Sequence, residues 1–97
     1  MSRFPFTVES NLGETDSPKI SAFVRVEMKD GMKAVDVLNY LRSAEAKNDF
    51  FTSWMAKNAP GFGVEVRGGP HPIFEDPRDR SSRVVAYEQE FRLSRSY

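Results

Sequence analysis

Strict alternation of apolar and polar positions is the strongest signal in this chain. In "KISAFVRVEMK", residues 19–29, Ile20, Ala22, Val24, Val26 and Met28 fall on one side, with Ser21, Phe23, Arg25 and Glu27 on the other. A two-residue period of this kind predicts a strand buried on one face. "FGVEVR" repeats it with Phe62, Val64 and Val66 against Glu65 and Arg67. "RVVAYEQEFRL" does so with Val85, Tyr87, Phe91 and Leu93 against Glu88, Glu90 and Arg92. The first ten residues alternate more loosely, through Phe4, Phe6 and Val8, and Pro5 confines any strand there to a sheet edge. "SNLGETDSP", residues 10–18, is turn chemistry throughout and predicts a loop.

Between the first strong strand and "FGVEVR" the period lengthens. Asp30 and Gly31 end the strand, and in "MKAVDVLNYLRSAEA" Ala34, Leu38, Leu41 and Ala44 recur at helical spacing. In "KNDFFTSWMAKNAPG", Asn48 or Asp49 can cap a second helix, Phe51, Trp54 and Met55 share a face, and Asn58 to Gly61 stop it. Ala44, Asn48, Phe51 and Met55 also continue the first stripe, so pattern alone allows one helix or two over residues 32–58. Either way, packing is expected through Leu38, Leu41, Phe51 and Met55.

This order predicts one α+β domain over residues 1–97: a single-layer, mostly antiparallel sheet of about four strands with one or two helices on one face. A sheet covered on both faces would read as continuous apolar runs instead.

Composition narrows the function classes. The chain has 97 residues, 39% of them apolar, and eight phenylalanines supply much of the large hydrophobic surface that a short chain needs. Fourteen basic and fourteen acidic residues cancel, so no field of one sign is available to steer a polyanion, and nucleic acid is not the expected partner. All the basic residues after position 62 are arginine (Arg67, Arg78, Arg80, Arg83, Arg92 and Arg95), the residue of bidentate contacts and interfaces. The absence of cysteine removes disulfides, thiolate metal sites and thiol nucleophiles together. With no apolar run of signal-peptide or membrane-spanning length, the expectation is a soluble, cytoplasmic protein with no membrane association.

The candidate chemistry concentrates in "RGGPHPIFEDPRDRSSR", residues 67–83, which holds the only histidine. His71, with Glu75, Asp76 and Asp79 near it, could join a metal site or act as a base. One histidine, no cysteine and no ligand spacing favour a turn made rigid by Pro70 and Pro72, with no metal, cofactor or catalytic residue. Paired Gly68 and Gly69 lead into proline and not into a lysine-bearing helix start, so they are no phosphate loop. In "EDPRDRSSR" the simplest reading is internal ion pairing on a solvated loop. The functional one is a contact loop bearing Arg78, Arg80 and Arg83, with Phe74 anchoring a partner or plugging into the core. Glu75, Asp76, Asp79 and Glu88 would be pushed against phosphates, whereas a protein surface tolerates mixed charge.

A second patch is expected on the helical segment. Most of Phe50, Phe51, Trp54 and Met55 should be core in so small a domain. Whichever of Phe50 or Trp54 falls off the buried stripe becomes a surface anchor. Phe23, Tyr40 and Tyr97 are aromatic on otherwise polar faces, and Phe23 suggests that the open sheet face is covered by the N-terminal strand or by another subunit.

The succession of "FVRVEMKDG", a helix, "APGFGVEVR", "EDPRD" and "RVVAYEQEF", over residues 19–92, loosely resembles the first three strands of the small dimeric α+β barrel proteins, a ferredoxin-like group that includes cofactor-free monooxygenases. That family has a further helix and strand with no counterpart here, and the N-terminal segment is unmatched.

The expected function is therefore non-enzymatic protein binding, as an assembly subunit or an inhibitor of the kind phages and mobile elements encode. It would act through Arg78, Arg80, Arg83 and Phe74 and through Phe50 or Trp54, on another protein or a second copy of the chain. The alternative is a ferredoxin-like homodimeric small enzyme or ligand-binding protein. A nucleic-acid-associated factor comes third.

Overall fold

Alternation in the first strong strand becomes β2 (Lys19–Glu27), in which Ile20, Ala22, Val24 and Val26 are fully buried. A computed structural model describes residues 4–11 and 19–95. In it β1 (Thr7–Ser10), β2, β3 (Phe62–Phe74) and β4 (Val84–Arg95) form one sheet in the order β1-β2-β4-β3, each neighbouring pair antiparallel. The helical segment between β2 and β3 lies on one face, as an α+β chain requires. β4 inserts between β2 and β3, which makes a split β-α-β arrangement. β1 takes the edge beside β2, and Phe4, Phe6 and Val8 pack on the core, with the Phe4 ring 5.2 Å from that of Tyr40. The expected loop at 10–18 lies mostly outside the described residues, as does Tyr97.

There are two helices at the point where pattern alone left the number open. α1 (Ala34–Arg42) ends at Ser43, whose extended backbone breaks the helix. Ser43 also caps α2 (Ala44–Phe50) by accepting the Ala46 N–H. That corrects the expected caps: Asp49 instead accepts the Tyr40 hydroxyl. A π turn (Phe51–Met55) and a last turn, α3 (Ala56–Asn58), complete the segment.

The buried stripe is rotated from the expected one. Val37, Tyr40 and Leu41 are buried on α1, while Ala34 and Ala44 are exposed and Leu38 is half-buried. Phe50 and Met55 are buried and Phe51 is 48% exposed. The π turn explains this, because closing bonds from i to i+5 brings Met55 back over Phe50 and turns Phe51 outward. Across this turn the Thr52 and Ser53 hydroxyls donate back to the carbonyls of Asn48 and Asp49, four residues earlier. Phe50 stacks on Phe91 of β4, centroids 5.0 Å apart, and on Trp54 at 5.5 Å. Tyr40 is fully buried, a correction to its assignment to a polar face.

The hairpin of β3 and β4 departs furthest from expectation. Residues 67–74, expected as a turn, are strand: β3 runs on through both prolines to Phe74, and the connector shrinks to residues 75–83. At about 3.3 Å per residue, the 12 residues of β4 that it pairs with reach roughly 40 Å, most of the 44 Å long axis of the molecule. Between Arg67, paired with Glu90, and His71, paired with Glu88, three β3 residues face the single residue Gln89. This wide bulge uses Gly68 at φ +66°, a left-handed backbone that glycine adopts without strain. Gln89 is fully buried, and its amide nitrogen donates to the carbonyls of Arg67 (3.1 Å), Gly68 (3.2 Å) and Glu90 (3.0 Å).

Backbone directions follow from two bonds. The Ser21 carbonyl accepts the Asn11 N–H on the β1 side, and the Met28 N–H donates to Val85 on the β4 side. Alternation then points the backbone groups of Gln89 and Phe91 toward β2, and those of Glu88, Glu90 and Arg92 toward β3. On β3, Glu65, Arg67 and His71 turn inward, whereas Val64, Val66 and Pro72 face the free edge. Pro72 is tolerated there because an edge position needs no donor.

Candidate functional site

Past Ala86, which pairs with Glu27 at the end of β2, the hairpin continues with only the Met28–Val85 bond tying it to β2. Its tip, residues 75–83, is closed at the base by the Glu75 N–H donating to the Arg83 carbonyl at 2.7 Å. Arg83 also pairs with the Glu75 carboxylate at 3.0 Å. Inside the loop the acids are occupied locally. Asp76 Oδ1 accepts the Arg78 N–H at 3.0 Å, and Asp79 Oδ1 accepts the Ser81 N–H at 2.9 Å and the Ser81 hydroxyl at 2.6 Å. The Ser82 hydroxyl donates to the Asp79 carbonyl at 2.6 Å and accepts the Asp76 N–H at 3.1 Å. Short polar side chains that bond the backbone one or two residues on are what make such a loop adopt one shape.

Arg78 and Arg80 are exposed and form no ion pair with any described residue. Of the three arginines expected to contact a partner, Arg83 is therefore engaged with its own loop, while Arg78 and Arg80 stand outward from a fixed frame. Phe74, at the end of β3 opposite Val84, is half-buried.

The hydrogen bonds from the Ser81 hydroxyl and then its backbone N–H hold the Asp79 carboxyl below the ordinary aspartate value, outweighing a small opposing effect of desolvation. A lowered folded-state value means that Asp79 supports the loop above its unfolded value and that this support is lost as pH falls through the depressed one. Ser81→Ala is expected to raise the Asp79 titration midpoint toward that of a free aspartate, as followed by the carboxyl carbon in NMR.

His71 is not in a turn. It lies on β3 opposite Glu88, with Nε2 3.4 Å from the Glu88 carboxylate, on the face of the sheet away from the helices. The carboxylates considered with it, Glu75, Asp76 and Asp79, belong to the tip, and among the described residues no three histidine or acidic side chains converge as a metal site would need. The face around His71 is a grid of opposite charges across neighbouring strands. Arg25, Glu88 and His71 form one row, Phe23, Glu90 and Arg67 the next, and Ser21, Arg92 and Glu65 the one after. The Ser21 hydroxyl donates to Glu90 at 3.1 Å. Phe23 sits half-buried within this grid, between Glu9 and Glu90.

The aromatic patch also moves. Phe50 is fully buried and cannot touch a partner, which corrects its assignment as an anchor, and Trp54 is half-buried against it. Phe51 takes the outward place, sharing one surface hollow with Ala44, Lys47, Asn48 and Val64 and another with Met55, Ala59 and Pro60. The sequence signal for this was Ser43. A cap there starts the second helix earlier and shifts its phase.

No family model, curated protein or solved structure matches this chain.

Proposed function

We propose that this chain is a non-enzymatic protein-binding protein, an assembly subunit or an inhibitor, that presents the hairpin tip to an acidic surface of another protein. The observation that carries this reading is the pairing inside the tip. Asp76 and Asp79 are spent on backbone amides and Glu75 on Arg83, which leaves Arg78 and Arg80 without acidic partners on a loop of defined shape. A loop already ordered in the free protein loses little entropy on binding. Arginine is also enriched among residues whose truncation costs most at interfaces.

Charge balance favours a protein over a polyanion. The tip holds three arginines and three acids, and even when engaged with amides those carboxylates would lie close to any bound phosphate. A folded protein can place its own acids over Arg78 and Arg80 and its donors over Asp76 and Asp79.

Reversing both Arg78→Glu and Arg80→Glu should leave the circular dichroism and the thermal midpoint unchanged, because exposed charges contribute only about 0–1 kcal/mol to folding. The same double variant should lose about tenfold or more in affinity for the protein that the wild type captures from its host. Equal capture by both would remove the tip from the interface. Binding to RNA or DNA that falls steeply with salt would favour a nucleic-acid role instead.

A further inference from the structure

The outer edge of β3, independently of the hairpin tip, carries the features of a self-recognition surface. β3 is the last strand of the sheet, and among the described residues no strand pairs with its outer side. The Phe62 N–H is already bonded to the Ala59 carbonyl, at 3.2 Å, and the bulge begins at Gly68. This leaves Val64 and Val66 as the regular edge positions whose N–H and C=O groups point outward. Val66 is also 44% exposed on its apolar side, and Glu65 and Arg67 extend on the other face with side chains 64% and 49% exposed.

We infer that a second copy of this chain adds to that edge, antiparallel, about a two-fold axis at Val66, to give one continuous eight-stranded sheet. In this register Val66 exchanges both backbone bonds with Val66 of the second copy, which the outward direction of its amide and carbonyl allows. Glu65 then stands opposite Arg67 of the second copy, and Arg67 opposite its Glu65, so each charge gains an opposite neighbour twice by symmetry. Within one chain the two meet at 3.8 Å along the same strand, in solvent, and each has an opposite charge, Arg92 or Glu90, only on its β4 side, which leaves the outer side open. On the helical side the two exposed valines cover each other.

Neighbouring registers fail on the same grounds. A two-fold at Val64 sets Glu65 opposite Gly63 and pairs no charges. One at Glu65 sets two carboxylates against each other and relies on an amide that already faces β4. The alternating charges therefore act as a selector on an edge that would otherwise accept any extended chain. Beyond Arg67, Gly68, Gly69 and the two prolines bend and blunt the strand, which limits the pairing to this short segment.

Sedimentation of the full chain over a concentration series up to the millimolar range should show a monomer–dimer equilibrium. Glu65→Arg alone and Arg67→Glu alone should each sediment as monomers, because each sets like charges opposite one another. An equal mixture of the two single variants should dimerise again, as should the double variant. Since the chain has no cysteine, Val66→Cys should be joined into a covalent dimer by a short bis-thiol reagent, the two residues 66 standing about 5.5 Å apart in a bonded antiparallel pair. Val64→Cys should not. A wild-type chain that stays monomeric at millimolar concentration, a mixture of single variants that fails to associate, or cross-linking through residue 64 in place of 66 would each overturn the assignment.

Discussion

Phe50→Ala is expected to lower the free energy of unfolding by about 3–5 kcal/mol, the range for emptying a buried phenylalanine site. Phe50 is fully buried between the rings of Phe91 and Trp54, so its removal opens a hole at the contact between the helical layer and β4. Phe51→Ala, one position along, should cost only about 1 kcal/mol, because that ring is 48% exposed and only about half of its burial is lost. Urea denaturation of both variants separates two placements of the helix. If Phe51→Ala shifted the midpoint and Phe50→Ala did not, the π turn would be wrongly phased and the sequence pattern that buries Phe51 would be right.

Gln89→Glu should be comparably damaging at neutral pH, and in a way that acid relieves. The Gln89 nitrogen donates to three carbonyls in a site sealed from solvent. A carboxylate in its place would be both desolvated and set against those oxygens, and burial of this kind raises a carboxyl's pKa by up to about 3–5 units. A carboxyl raised that far stays protonated in the folded state at pH 7, so the cost there is roughly 1.4 kcal/mol for each of the about 2.7 units between its unfolded value and pH 7, or about 3–4 kcal/mol. The folded value lies above the unfolded one, so the penalty disappears as pH falls below the ordinary carboxyl range, where both states carry the proton. Chemical denaturation of the variant at pH 7 and at acidic pH measures this. A variant as stable as the wild type at neutral pH would mean that the bulge opens to water and is not held by this amide.

The strands facing the helices were readable because their alternation is enforced by burial: Ile20, Ala22, Val24 and Val26 can take no other register without exposing the core. The helical segment was readable in kind but not in phase. Its phase depends on Ser43, a single break, and on a π turn that has no signature in the spacing of apolar residues. The extension of β3 was hidden by chemistry that normally marks turns. Gly68, Gly69, Pro70 and Pro72 fit a strand only because it lies at the edge of the sheet and because a buried glutamine fastens the bulge. Gln89 itself interrupts the apolar face of β4, and a polar residue at a core position signals a partner that only the folded chain supplies. Of the candidate site, Arg78 and Arg80 were legible as outward charges. That Arg83 closes the loop, that Phe50 is buried and that Phe51 replaces it outside all depend on contacts between distant segments.

Whether the tip of the hairpin is the face this chain offers to another protein is decided by a photo-crosslinking amino acid placed at Arg80, in the full chain made in its native host. Such a group reports whatever lies against the tip, with no partner chosen in advance. The expected product is a covalent adduct with a protein other than the chain itself, absent when the same group is placed at Glu9 on the opposite edge of the sheet. An adduct with nucleic acid, or capture of the partner from Phe51 with none from Arg80, would show that the tip is not that face.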